Sequence, residues 1–233
     1  MSVRIVLAGL LSLGVTLALA LALLDRPAPV ENLAERVAAA MPISGVDHPI
    51  TGVLLNFRSY DTLLEIAVLL VAVLVALALR EAQPDRPEQM ALDNPLLRAV
   101  MSWLLPLILM TAGFLLWAGS YQPGGAFQAG AVLAASGVLL RLAGVNAAWL
   151  DNPIILRVGL AMGLLTFVGV GILVMWEGVP FLTYPLEYAG SLILFIEFML
   201  TLSIGLTLIS LFRLSPPYSD DPDEVRHQRG GAQ

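Results

Sequence analysis

The chain is 233 residues long, 58% hydrophobic and 13% charged, with a mean hydropathy of +0.84. Soluble domains carry about 25% charged residues, so the composition excludes an ordinary soluble domain and predicts an all-α integral membrane protein. The formal net charge of −6 comes from acids in loops and in the tail (Asp220, Asp221, Asp223, Glu224); with no lysine and no basic stripe, nucleic-acid binding is excluded, and the absence of cysteine removes disulfides, thiolate metal sites and cysteine nucleophiles.

Six apolar spans are expected. The first covers residues 3–24. Its run is longer than the ~7–15 residues of a signal-peptide core, so it reads as a retained transmembrane helix. A polar connection follows, in which Leu33, Val37 and Met41 recur at helical spacing. That pattern predicts a short interfacial helix in the first outer loop. Pro42, Gly45 and Pro49 then interrupt the chain. The second span, near 61–80, is entered through Asn56-Phe-Arg-Ser-Tyr-Asp-Thr-Leu-Leu-Glu65.

The loop over residues 81–95 carries Pro-Asp and Pro-Glu pairs and is the expected junction between two modules. The third span, 97–118, contains Pro106, which neighbouring helices can tolerate. Span four (126–142) is rich in Ala and Gly; span five (153–176) carries Gly159-x-x-x-Gly163, with Phe167 interrupting the row one turn later; span six covers 187–212. An even number of spans puts both termini on one side. That side holds Arg4, Arg80, Arg86, Arg98, Arg141, Arg157, Arg213, Arg226 and Arg229, against Arg26, Arg36 and Arg58 on the other. The positive-inside rule therefore makes both termini cytoplasmic.

Three motifs bear chemistry. Arg58, Asp61 and Glu65 stand at i, i+3, i+7 at the mouth of span two, sharing a face if the helix begins early enough. They read either as ion-handling groups, with Arg58 as ion-pair partner, or as a structural start. In the second case Thr62-x-x-Glu65 is a capping box and Asp61 favours the positive helix end. Pro123, Gly124, Gly125, Phe127 and Gly130 open span four. They read as a tight turn into a closely packed helix, with an ion-binding loop as the rival.

Glu197 is the third. It lies about 15 Å along span six from Glu187, close to the midplane, with no basic residue of the chain at that depth. An unpaired ionised carboxylate there costs ~2.5–3.5 kcal/mol or more, so Glu197 is protonated, hydrated or paired with a group from another subunit. It reads either as a functional site or as a protonated glutamate that hydrogen-bonds a neighbouring helix. Gly190, Leu194, Glu197, Thr201 and Gly205 form a small-and-polar stripe suited to facing protein. Glu177 and Glu187 flank the outer loop, where they are solvated acids that make the outer half attractive to cations. The only histidines, His48 and His227, lie outside the spans. One buried glutamate is not a full proton relay, which points to an accessory subunit.

From Tyr121 onward the chain resembles the B subunit of the Mrp-type multisubunit cation/proton antiporters. The resemblance rests on Pro123-Gly124-Gly125-Ala126-Phe127 through Gly130, on Pro180-Phe181-Leu182-Thr183 and on Glu197. Where the family has a third glycine and a glycine pair, this chain has Ala126 and Ala129-Gly130, which keeps small side chains there. Residues 46–79, with Thr51-Gly-Val-Leu-Leu-Asn-Phe-Arg58 through Glu65, are similar to the C-terminal end of the large Mrp A subunit. That piece stands alone as a small subunit in membrane-bound hydrogenases.

The resemblance implies a two-helix module (1–85), a four-helix B-like module (86–214) and a disordered cytoplasmic tail (215–233). It implies an accessory subunit of a Na⁺/H⁺ antiporter in a bacterial or archaeal cytoplasmic membrane. Large antiporter-like subunits and small subunits are the implied partners. Asp61, Glu65, Glu197 and Glu187 are then the ion-pathway candidates. No cofactor is expected, no active site of its own, and no metal beyond transient Na⁺. Two rivals stay open: a membrane-arm subunit of a hydrogenase or related complex I-like machine, and a pure scaffold.

Overall fold

Long apolar runs free of charge build helices wherever the backbone must satisfy its own hydrogen bonds. The computed structural model describes residues 3–25, 32–81, 95–145 and 152–214, and every regular element in them is helical. In chain order these are α1 (Val3–Leu24), α2 (Leu33–Ala40), α3 (Pro49–Gly52), α4 (Ser59–Glu81), α5 (Pro95–Ala118), α6 (Ala126–Leu142), α7 (Pro153–Met175) and α8 (Ala189–Leu214). A 3₁₀ turn, Met41–Ile43, continues α2, and a wide π turn, Val53–Phe57, joins α3 to α4.

Five helices are long and apolar enough to cross a membrane: α1, α4, α5, α7 and α8. Helix α6, the fourth expected span, has 17 residues. That is about 25 Å of rise against a ~30 Å hydrocarbon core. It is bounded by glycines with positive φ, Gly125 at +105° and Gly144 at +67°. The tail over 215–233 and most of the expected junction near 81–95 lie outside the described residues.

The chain divides into two units, residues 1–38 and 39–233. In the first, the described side chains of α1 are exposed, and the Thr16 hydroxyl donates back to Ser12 O at 2.8 Å. Helix α2, Leu33–Ala40, lies within the stretch 30–41 expected to be helical. Asn32 caps it, its Oδ1 accepting from the Ala34 N–H at 3.2 Å and its Nδ2 donating to Glu35 at 3.0 Å.

The second unit is organised on α8, which packs against α4, α5, α6 and α7. Small residues set the approach distances. A Cβ at Gly130 or Gly137 of α6 would lie 2.9 Å from Ile204 or 2.4 Å from Ile209 of α8. On α7, Gly159 and Gly163 face Leu206 and Ser203. Phe167, the residue breaking that row, is fully buried among Ile193, Ile196 and Leu200. Three hydroxyls of α8 bond within the helix or to α7: Thr201 donates to Glu197 O, Ser203 to Leu160 O and Ser210 to Leu206 O, each at 2.7 Å. At the far end of α6, Arg98 of α5 donates to Ala143 O at 3.0 Å, placing a cation at the negative helix end.

A strap formed by residues 44–58 fixes the turn between α5 and α6. The Asp47 and His48 N–H groups donate to Ser120 O at 3.1 and 2.9 Å, and the Thr51 hydroxyl donates to Gly119 O. Gly45 holds φ +72°, and a Cβ there would come within 2.4 Å of Ala189 Cβ at the start of α8. The strap, the α5–α6 turn and the first residue of α8 thus meet in one place.

Candidate functional site

The turn into α6 is shaped by backbone, because side chains would not fit. Gly125 donates its N–H to Leu115 O at 2.9 Å, and a Cβ on Gly124 would sit 2.4 Å from that same oxygen. Gly125 then adopts φ +105°, ψ −172°, a region essentially confined to glycine. A Cβ on Gly125 would lie 2.6 Å from Glu197 Oε1. The next residue, Ala126, donates its backbone N–H to the Glu197 carboxylate.

Glu197 therefore closes the N-terminus of α6 from the neighbouring helix α8, in the role of an N-cap that the glycine at Gly125 cannot fill. The orphan N–H groups and positive dipole end of a helix favour such an anion. The residue is 4% exposed, and its second oxygen, Oε2, has no hydrogen-bond partner. Two features that the sequence shows 72 positions apart, Gly125 and Glu197, are thus one site.

The remaining expected site residues lie elsewhere. Phe127 is half-buried and packs against the main core cluster, and Gly130 abuts Ile204; Pro123 is exposed. Arg58 precedes α4 and pairs with Asp61, with side chains 70% and 48% exposed; a pair that open is worth ~0–1 kcal/mol. Glu65 is exposed, as is Glu187 in the turn before α8. Among the described residues no three Asp, Glu or His side chains gather into a cation-holding group.

Two readings need correction. The capping box at Thr62-x-x-Glu65 does not form, because the π turn lets the helix begin at Ser59. Thr62 is then already inside α4, and its hydroxyl donates to Leu54 O at 2.7 Å. The stripe on α8 is not continuous either. Glu197, Thr201 and Gly205 are buried, but Leu194 is 36% exposed, because α6 begins level with Glu197 and leaves the earlier turn uncovered on that side.

Tyr184 was not singled out by sequence reasoning. It is 5% exposed, its hydroxyl has no partner, and burial pushes the phenol above its ordinary value. It belongs to the same apolar cluster as Ala126, Ile193 and Ile196. The preceding Leu182 carries the one positive φ of a non-glycine among the described residues, +61°. The only available signal was the proline pair, Pro180 and Pro185, bracketing an aromatic-rich loop.

A helical protein with several membrane-length spans and a carboxylate buried among them is a polytopic membrane protein. Residues 96–213 match the family model described as a domain related to the MnhB subunit of Na⁺/H⁺ antiporter, so the chain belongs to that family. It is 27% identical over 236 aligned positions to a protein of Rhizobium meliloti (strain 1021) named as the A/B subunit of a probable K⁺/H⁺ antiporter. That match takes in 84% of this chain but 23% of the relative, so the chain spans under a quarter of its length.

Two solved structures share the fold. One is the Mrp complex from Dietzia sp. DQ12-45-1b, with TM-score 0.70 and 22% identity over 95% of this chain and 27% of that one. The other is a membrane-bound sulfane sulfur reductase, an archaeal respiratory membrane complex, with TM-score 0.65 and 21% identity over 94% of this chain and all of that one.

Proposed function

We propose that the chain is an accessory subunit of a Mrp-type monovalent cation/proton antiporter, supplying carboxylates to a pathway that other subunits complete. The observation that carries this reading is Glu197: a buried carboxylate with one oxygen held by the α6 backbone and the other unpartnered. Polar groups at membrane depth are functional candidates by default. Asp61, Glu65 and Glu187, exposed at or near the outer ends of α4 and α8, collect cations electrostatically rather than coordinate them. The chain acts as a transporter component, with large antiporter-like subunits as its partners.

On this reading α6 is the fourth of six spans, shorter than the others and lined by protein, and both termini are cytoplasmic. The relative named for both an A and a B component supports reading the chain as a fusion of an A-type piece (1–85) with a B-type piece (86–214). Exchange measured in vesicles carrying the intact complex with Glu197→Gln tests the role. The expected result is a drop in cation/proton exchange of roughly tenfold or more with the complex still assembled. Unchanged turnover and cation affinity would remove Glu197 from the mechanism.

The match to an entire chain of the archaeal respiratory complex favours a second reading, a membrane-arm subunit of a redox machine. Co-purification in mild detergent separates the two: partners with iron–sulfur centres support the redox assembly, and their absence supports the antiporter.

A further inference from the structure

We propose that Glu197 is a proton site and not a cation-coordinating one: its Oε2 takes up and releases a proton while the start of α6 holds the other oxygen. This rests on the reading of Glu197 as a pathway station and specifies what that station carries.

Three observations lead there. First, the carboxylate faces the N-terminus of a 17-residue helix and accepts the Ala126 N–H. That end of a helix carries about half a positive charge, which holds the anion and opposes any added positive charge. A proton, unlike a metal cation, neutralises the carboxylate through a single O–H bond at Oε2 and needs no shell of further oxygens. Second, hard cations gather several oxygen ligands, and the backbone oxygens of this turn already accept hydrogen bonds, with Gln128 Oε1, 3.9 Å from the position of a Gly125 Cβ, as a further oxygen there. Leu115 O takes the Gly125 N–H at 2.9 Å, Gly125 O takes the Ala129 N–H at 3.1 Å, and Glu197 O takes the Thr201 hydroxyl at 2.7 Å. Third, Oε2 is buried with no partner; a single water or neighbouring acceptor is enough to exchange a proton with it.

No described charged side chain neutralises the site. On α4, Tyr60, Asp61 and Glu65 are exposed at its entrance; on α7, Arg157 is exposed near its start. Arg98 of α5 reaches Ala143 O at the opposite end of α6, the end that also carries Arg141. Tyr184 is the buried titratable group in the same apolar cluster, and Glu177, Glu187 and Tyr188 of that loop are exposed. Proton uptake forms an O–H bond at Oε2 as hydronium gives up its proton and becomes water, leaving a neutral carboxyl; release reverses this, re-forming the carboxylate and hydronium, with no electron transferred.

The test is the kinetics of the intact reconstituted complex with Glu197→Gln, read as a pH profile and as a KM for Na⁺ and K⁺. The proposal expects an altered pH profile with each cation's KM within about twofold of the parent, well below the roughly tenfold rise of a lost ligand. A KM raised about tenfold with the pH profile's shape preserved would make Glu197 a cation ligand and overturn it. No change in rate, profile or KM would instead refute the station reading beneath it.

Should the variant be inactive, infrared titration of the parent complex decides, following the carboxyl band that Glu197→Asp displaces. The same titration in Na⁺, K⁺ and choline supports the proposal. Loss of the band on adding Na⁺ at fixed pH contradicts it.

Discussion

At the residue scale, the account turns on how little room surrounds the Glu197 carboxylate. Gly125→Ala forces a methyl to within 2.6 Å of Oε1 at φ +105°. That glycine-only backbone region alone costs ~1–3 kcal/mol for an L-residue, and the carboxylate must also leave the Ala126 N–H. The expected outcome is a lower melting temperature of the purified complex together with loss of exchange. A variant as stable and as active as the parent would mean that the turn and the glutamate are independent. Tyr184 gives a second prediction. An unfolded phenol ionises near pH ~10, whereas burial holds the folded one protonated beyond that. The unfolded chain therefore loses its proton first, and this contribution, intact below the unfolded value, is lost as pH rises past it. Tyr184→Phe should move alkaline unfolding to higher pH, followed by tyrosinate absorbance. An unmoved transition would show that the hydroxyl is not the alkaline weak point.

At the scale of elements, glycines on one helix face separate contact from open space. Gly130→Ala and Gly137→Ala place methyls against Ile204 and Ile209, and overpacking of this kind costs about 1–3 kcal/mol. Gly113→Ala on α5 meets nothing within 4 Å and gains up to ~1 kcal/mol of helix propensity. Thermal denaturation of the three variants should rank Gly113→Ala at or above the parent and the other two below it; the reverse order would refute the α6–α8 packing. Helices α1, α4, α5, α7 and α8 were legible because apolar runs of 19 to 24 residues with no more than two charged side chains each admit little else. The start of α4 was misread because the π turn over Val53–Phe57 leaves no compositional mark, and Thr62 and Glu65 satisfy the capping pattern by spacing alone. Glu197 was legible as a carboxylate without a basic partner, and Pro123-Gly124-Gly125 as a tight turn. Their meeting was not, because α8 and the α5–α6 turn are brought together by packing that no local periodicity encodes.

At the scale of the whole molecule, the strap at residues 44–58, just before α4, is tied to the α5–α6 turn and to α8 through Gly119, Ser120 and Ala189. Thr51 is the residue to change. Thr51→Val removes the hydroxyl donated to Gly119 O while keeping nearly the same volume, and an unsatisfied buried acceptor costs ~1–3 kcal/mol. Limited proteolysis should then cut the α5–α6 turn faster than in the parent; an equal rate would show that the strap does not protect it. The distribution of polar groups points the same way as the site. One carboxylate is buried beside α6 and the other acids stand at the rim, so nothing among the described residues forms a continuous ionisable path through the bundle. The claim beneath the whole reading is that this chain contributes to a passage other subunits finish. The most direct measurement is cation-driven pH change in liposomes containing the purified chain alone, beside liposomes containing the complete complex. The account predicts exchange by the complex and none by the isolated chain, whereas exchange by the isolated chain at a comparable rate would contradict it.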